Sequence, residues 1–290
     1  CDRRQRQMCI RDSTNIVQIE KNWQVIFEDK TTSLELKADH SALIMKQIWD
    51  FSQTVDIEDV KEILDRQIAC NMAIANEGIH NSYGANIGHV ILNMDSDCVK
   101  TRAKAYAAAG SDARMNGCEL PVVINSGSGN QGITCCVPVV VYAKELDCTQ
   151  KQLYRALVLS NLTAIYIKTG IGTLSAFCGA VSSGAAAGAG IAYLHNGTYK
   201  EIQHTIVNAL AILSGTICDG AKASCAAKIA SSVDAGIMGY YMYKNKQQFY
   251  AGDGIVAHSV DETIQNIGTL GSQGMLQTND KIIEMMISCD

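Results

Sequence analysis

Apolar and polar residues alternate at period two through "TNIVQIEKNWQVIFED", residues 14–29, which predicts a β-hairpin with Lys21-Asn22 as its turn. From Asp56 the period changes. Ile57, Val60, Ile63, Leu64, Ile68 and Met72 recur at helical spacing behind Asp56, a residue type suited to an N-cap. Further helices are predicted over 98–110, 133–145, 150–168, 173–194, 199–217, 221–244 and 259–287, punctuated by Gly and Asn. Pro138, one of two prolines, falls in an apolar run and predicts a first turn or a kink, because proline lacks the amide that interior helix bonding needs.

No Asp, Glu, Lys or Arg occurs from Thr169 to Tyr199, a length that raises the question of a membrane span. The content argues otherwise. "GAVSSGAAAGAG" is Ala, Gly and Ser, which gain little on transfer to lipid, and its small-xxx-small spacing suits close helix packing. Several consecutive helices poor in charge predict a central layer buried on all sides. The fold class is therefore mainly α, with a residual β-hairpin at the amino end. Three regions follow: 1–13; 14–50 as hairpin and linker; and 51–290 as a helical domain. There is no fixed-period repeat and no low-complexity linker.

The first region reads as foreign. "MCIRDS" within residues 1–13 resembles the translation of a transposase-adapter end used in DNA library preparation, and a basic disordered arm is the other reading. On the adapter reading the natural beginning of the chain is lost.

Composition narrows the function classes. A 47% hydrophobic chain of 290 residues can fill a substantial core. Its net charge of -5, without a basic block past the start, offers no footprint for nucleic acid or an anionic membrane and favours a small-molecule partner. The 12 cysteines are irregularly spaced, which points to a reducing, cytoplasmic setting in which most thiols pack as small hydrophobes.

Only a constellation of cysteines would carry chemistry. In "ICDGAKASC", Cys218 and Cys225 stand seven positions apart, too far for a CxxC site; Cys178, in "AFCGAV", precedes them by forty positions. A helical return between the two loci would bring three thiols together among Gly179, Gly220 and several alanines. Such soft ligands suit zinc or an iron-sulfur cluster, and simple core packing is the competing reading. A second feature, "NSGSGNQG" from Asn125 to Gly132, precedes an apolar helix whose amino end favours an anion, so it is either a carboxylate or phosphate seat or a polar turn. It is neither a Walker A loop nor GxGxxG. In "SDARMNG", Asp112 and Arg114 either orient a zwitterion or form an ordinary surface pair. His195, His204 and His258 stand alone.

Taken together and in order, "SDARMNG", "NSGSGNQGIT", "FCGAV", "ICDGAKASC" and "GIVAHSV" resemble the L-cysteine desulfidase family, relatives of the iron-sulfur L-serine dehydratase α domain, from about Thr14 to Asp290. The resemblance implies a helical serine-dehydratase-alpha-like domain. It implies a carbon-sulfur lyase that breaks L-cysteine into pyruvate, ammonia and hydrogen sulfide on a [4Fe-4S] cluster, without pyridoxal phosphate. Cys178, Cys218 and Cys225 match the cluster ligands. Ser126, Ser128, Asn130 and Gln131, with neighbouring amides, would hold the substrate, and Asp112 would partner its amino group. The family's base cysteine lies in a "GCTEP"-like string that has no match here, so the chain is expected to hold the cluster ligands without the base.

Rival readings remain: serine dehydratase activity on the same scaffold, an electron carrier, an inactive helical fragment, or a closed zinc site of Cys178, Cys218, Cys225 and His204. The expected partner is a small amino acid, with no nucleic acid and no membrane. A homo-oligomer is left open.

Overall fold

The computed structural model describes residues 18–21, 24–28, 40–172 and 175–288. The expected foreign segment, 1–13, lies outside them. The chain divides into two compact units between Ala42 and Leu43. The first holds strands β1 (Gln18–Lys21) and β2 (Gln24–Glu28), paired antiparallel with an irregularity between Ile19 and Glu20. Lys21 pairs with Gln24, so it closes the first strand and is not part of the turn.

The second unit is helical: α1 (Met45–Thr54), α2 (Ile57–His80), α3 (Ile87–Met94), α4 (Val99–Met115), α5 (Gly129–Glu145), α6 (Gln150–Ile171), α7 (Gly179–Leu194), α8 (Tyr199–Ile212), α9 (Cys225–Lys244), α10 (Val260–Thr269), a π-helical turn (Leu270–Gly274) and α11 (Leu276–Ile287). Local chemistry sets many of the starts. Asp56 accepts from the Glu58 amide at the head of α2. Thr149 with Gln152, Thr198 with Glu201, and Ser259 with Glu262 form reciprocal capping boxes for α6, α8 and α10.

Among the helix boundaries that differ from the sequence pattern, two bear on function. The helix expected from 173 begins only at Gly179, with Cys178 as its extended N-cap, because α6 stops at Gly172, whose φ of +87 lies where an L side chain is strained. The helix expected to run through 217 ends at Ile212. Residues 213–224 then form a connection that turns at Gly220, φ +91. All three candidate cysteines thus sit at helix starts or in loops. Pro138 lies well inside α5, past its first turn.

Helix α7 is the central element, packed against α5, α6, α8 and α9 and buried along nearly its whole length. Its glycines allow that. A methyl group added at Gly184 would lie 2.4 Å from Ser232 backbone, one at Gly188 2.6 Å from the Gly236 carbonyl oxygen, and one at Gly236 2.2 Å from that of Gly184. The α7–α9 crossing is therefore in backbone contact, and dispersion over this short distance replaces the bulk of larger side chains. No described helix is long and apolar enough to cross a membrane.

Candidate functional site

Backbone pairing brings the first two cysteines together. Phe177 and Ile217 form an isolated antiparallel bridge, flanked by bonds from the Cys178 amide to Thr216 O (3.0 Å) and from the Cys218 amide to Ala176 O (2.6 Å). Buried Phe177 anchors one side, and the Ser175 hydroxyl fixes that strand by donating to Gly271 O while accepting from the Phe177 amide. The turn at Gly220 then delivers Cys225 as the first residue of α9, where its thiol donates to Gly220 O at 3.6 Å.

The thiols are electrostatically joined. Cys178 and Cys218 are close enough to act on one another: the interaction with Cys218 and burial push the Cys178 thiol up. Cys218 is held down at about 6, first by the Cys178 thiol, then by the Gly220 amide and the Lys228 charge. Lys228 is ion-paired with Asp219. Burial raises Cys225.

Across from the thiols, Asn125 and Ser128 exchange both backbone bonds (3.1 and 3.0 Å) around Ser126 and Gly127, at φ +49 and +78. That is a two-residue turn with both central residues left-handed. It is held from behind: the Asn125 side chain donates to Asn161, and the Asn71 amide brackets the Val123 backbone in both directions. Ser128 is the N-cap of α5 and its hydroxyl makes no capping bond. Gly132 lets α5 lie against Val123 O, 2.0 Å from where a Cβ would stand. The first-turn amides of α5 carry the partial positive charge that favours an anion.

These parts share one cavity of about 360 Å³. It is lined by Ser126, Ser128, Asn130, Gln131, Cys178, Cys218 and Cys225, seven of the eight site residues expected from the sequence. Asp112 is the exception. It is buried at the amino end of α3, where the Gly88 amide donates to it at 3.4 Å, and its pKa is raised to about 6, chiefly by burial. His204 is also elsewhere, stacked on Tyr243 with ring centres 4.9 Å apart, so it is no fourth ligand to the cysteines. His195 stacks on Tyr240, and His258 is exposed.

The cavity also takes in two cations, Arg114, which the sequence reading offered with Asp112 as a zwitterion partner, and Lys168, which it did not single out. Arg114 lies against Gly129, where a Cβ would fall 2.2 Å from its Nε. Lys168 is 9% exposed and donates to Gly172 O at 2.6 Å. A signal existed for it: Ala164, Ile167, Lys168 and Ile171 form one buried helical stripe in which a lysine is out of place.

Among the described residues no three His, Cys, Asp or Glu side chains are arranged to hold a single metal ion. A lone ion would draw its sulfurs to about 2.3 Å from itself, whereas the separate iron corners of a cluster accept thiolates standing farther apart. Three thiols at one cavity, with Gly179, Ala180, Gly220 and Ala221 beside them, fit the bulk and the donor set of a cluster.

The family model described as serine dehydratase alpha chain matches residues 9–284. The chain is 58% identical over 277 residues to a UPF0597 protein of Desulfitobacterium hafniense, covering 95% of this chain and 64% of that one. It is 50% identical over 280 residues to one from Lachnoclostridium phytofermentans (96% and 67%) and 49% identical over 275 residues to one from Finegoldia magna (94% and 66%). The chain thus spans about two thirds of the length of these curated relatives. No solved structure matches it.

Proposed function

The chain belongs to the serine dehydratase alpha-chain family, and on that premise we propose that it forms the helical part of an iron-sulfur lyase that eliminates the β-substituent of a small α-amino acid, L-cysteine in the first place. The observation that carries this reading is the single cavity on which three cysteines face the Ser126–Gln131 turn and the amino end of α5. A [4Fe-4S] cluster held by Cys178, Cys218 and Cys225 would supply a Lewis-acidic iron for the leaving sulfur.

The chain's own residues do the rest of the binding. The α5 amides with Ser126 and Ser128 orient the substrate carboxylate, and the rigid turn behind them fixes Cα relative to the thiols. Loss of the Cα proton and of the β-sulfur leaves an aminoacrylate, which tautomerises and takes up water to give pyruvate and ammonia, so cysteine plus water balances to pyruvate, ammonia and hydrogen sulfide. The base for the Cα proton is assigned to none of the residues lining the cavity. L-Serine is the second reading, favoured by the family's description and differing only in the leaving group.

The test is anaerobic purification of this chain and of the longer D. hafniense relative, with assays of iron, acid-labile sulfide and zinc. Sulfide release from L-cysteine is then compared with pyruvate formed from L-serine. Iron and sulfide in both proteins, with turnover in the relative, support the reading. Zinc, or no metal in either, returns the cysteines to a structural role.

A further inference from the structure

Lys168 is a buried cation without a carboxylate. It lies in the last turn of α6, and its Nζ donates to Gly172 O, which uses one of three ammonium protons. Among the described residues no Asp or Glu pairs with it; the titratable groups that act on it are the thiols of Cys218 and Cys178. A buried ammonium with spare donors is costly unless an anion meets it. The lysine lines the cavity, so an anion entering there reaches it.

The same cavity lining shows the complementary lack. Asn130 Oδ1 and Gln131 Oε1 are buried with no hydrogen-bond partner among the described residues. Gln131 is 5% exposed and its amide lies against Gly179, at the level of Cys178. Two acceptors without donors on one cavity lining call for a donor-only group, and a primary ammonium is such a group. Asp112, expected to fill that role, points away to α3.

We propose that the cavity is a clamp for an α-amino acid zwitterion, in which Lys168 takes the α-carboxylate together with the first-turn amides of α5, and the side-chain oxygens of Asn130 and Gln131 take the α-ammonium. The proposal rests on the lyase reading for its choice of site and substrate, and it deepens that reading by assigning the residues that hold each charged end of the amino acid. With both charged ends on the walls, the β-carbon is the part left to face the thiols. Lys168 is then a substrate-binding residue whose charge, not its titration, matters.

The experiment uses two ligands that carry no leaving group, L-alanine and L-alaninamide. The second keeps the ammonium and lacks the carboxylate. Titration calorimetry of the anaerobic, iron-loaded protein is run with the wild type, Lys168→Met, Lys168→Arg and Asn130→Asp, alongside iron and acid-labile sulfide content. Lys168→Met, which keeps the apolar stem, is expected to weaken L-alanine by about tenfold or more, with L-alaninamide unchanged and iron content kept. Lys168→Arg should recover part of the loss, and Asn130→Asp, an acceptor only, should retain L-alaninamide binding. Equal loss of both ligands, or loss of iron with L-alanine affinity intact in the loaded fraction, would overturn the assignment in favour of a structural or cluster-facing lysine. Wild-type binding that Lys168→Met leaves unchanged sinks the lysine assignment alone. Wild-type protein that holds iron but binds neither ligand refutes the clamp, and wild-type protein without iron refutes the lyase reading, with the clamp then judged on the calorimetry of the metal-free protein.

Discussion

Replacing Gly236 by Ala tests whether the glycine contacts of the core also set the site. The added methyl would stand 2.2 Å from the Gly184 carbonyl oxygen, where ordinary contact begins at 3.4 Å, so α7 and α9 must part by about 1 Å. The atom that must give way is backbone, on a helix buried between four others, so no side chain can rotate to relieve the clash. Overpacking that sets backbone against backbone falls in the upper part of the 1–3 kcal/mol range, about 2–3 kcal/mol, and the better helix propensity of Ala returns about 1 kcal/mol. A net loss of about 1–2 kcal/mol would lower Tm by about 2–8 °C for a domain of this size. The helix starts carry the consequence: Cys178 caps α7 and Cys225 opens α9, so separating the two helices should also lower iron content after anaerobic reconstitution. Thermal melts and iron assays are compared with Gly215→Ala, where no atom lies within 4 Å of the added methyl and no positive φ intervenes. If Gly236→Ala melts with that control, backbone contact is not what packs these helices. If it melts lower yet holds iron fully, the crossing and the site are independent.

Serine at Cys178, Cys218 or Cys225, one at a time, should each cut reconstituted iron to a small fraction of the parent's, whereas serine at exposed Cys98 should leave it unchanged; full iron in any of the three would remove that residue from the ligand set. Ser128→Ala should raise KM severalfold with iron unchanged, and unchanged KM and kcat would free the turn from substrate. Asp112 gives a pH signature. Its folded pKa, about 6, exceeds the unfolded value near 3.8, so the folded state holds the proton more tightly; the stability that Asp112 contributes is fully present below about pH 4, is lost as pH rises from about 4 to 6 and is level above. Asp112→Asn should remove that slope and stabilise the protein near pH 7 by on the order of 2–3 kcal/mol, read from urea unfolding at pH 5 and pH 7; a slope that persists in the variant would place the titrating group elsewhere.

Much of this molecule was legible in the residues because it depends on local chemistry. Period-two and helical spacing marked the hairpin and α2, Asp56 marked a helix start, and a charge-free run of Gly, Ala and Ser marked α7 as a helix closely surrounded by others. Three cysteines and a Gly-Ser-Asn turn also stood out as residue types with chemistry of their own, and they line one cavity. What sequence distance does not encode is direction. Asp112 and Arg114 are two positions apart on α4, hence about 200° apart around its axis, so only one of them can face the cavity; the packing of α3 and α5 decides that it is Arg114. Likewise the strand-like bridge between Phe177 and Ile217, which aligns Cys178 with Cys218, is a long-range pairing that no local pattern announces. Lys168 reads as one more helix residue until the chain closes over it and leaves its charge facing the thiols, because burial, and therefore the cost of an unmatched charge, belongs to the tertiary structure alone.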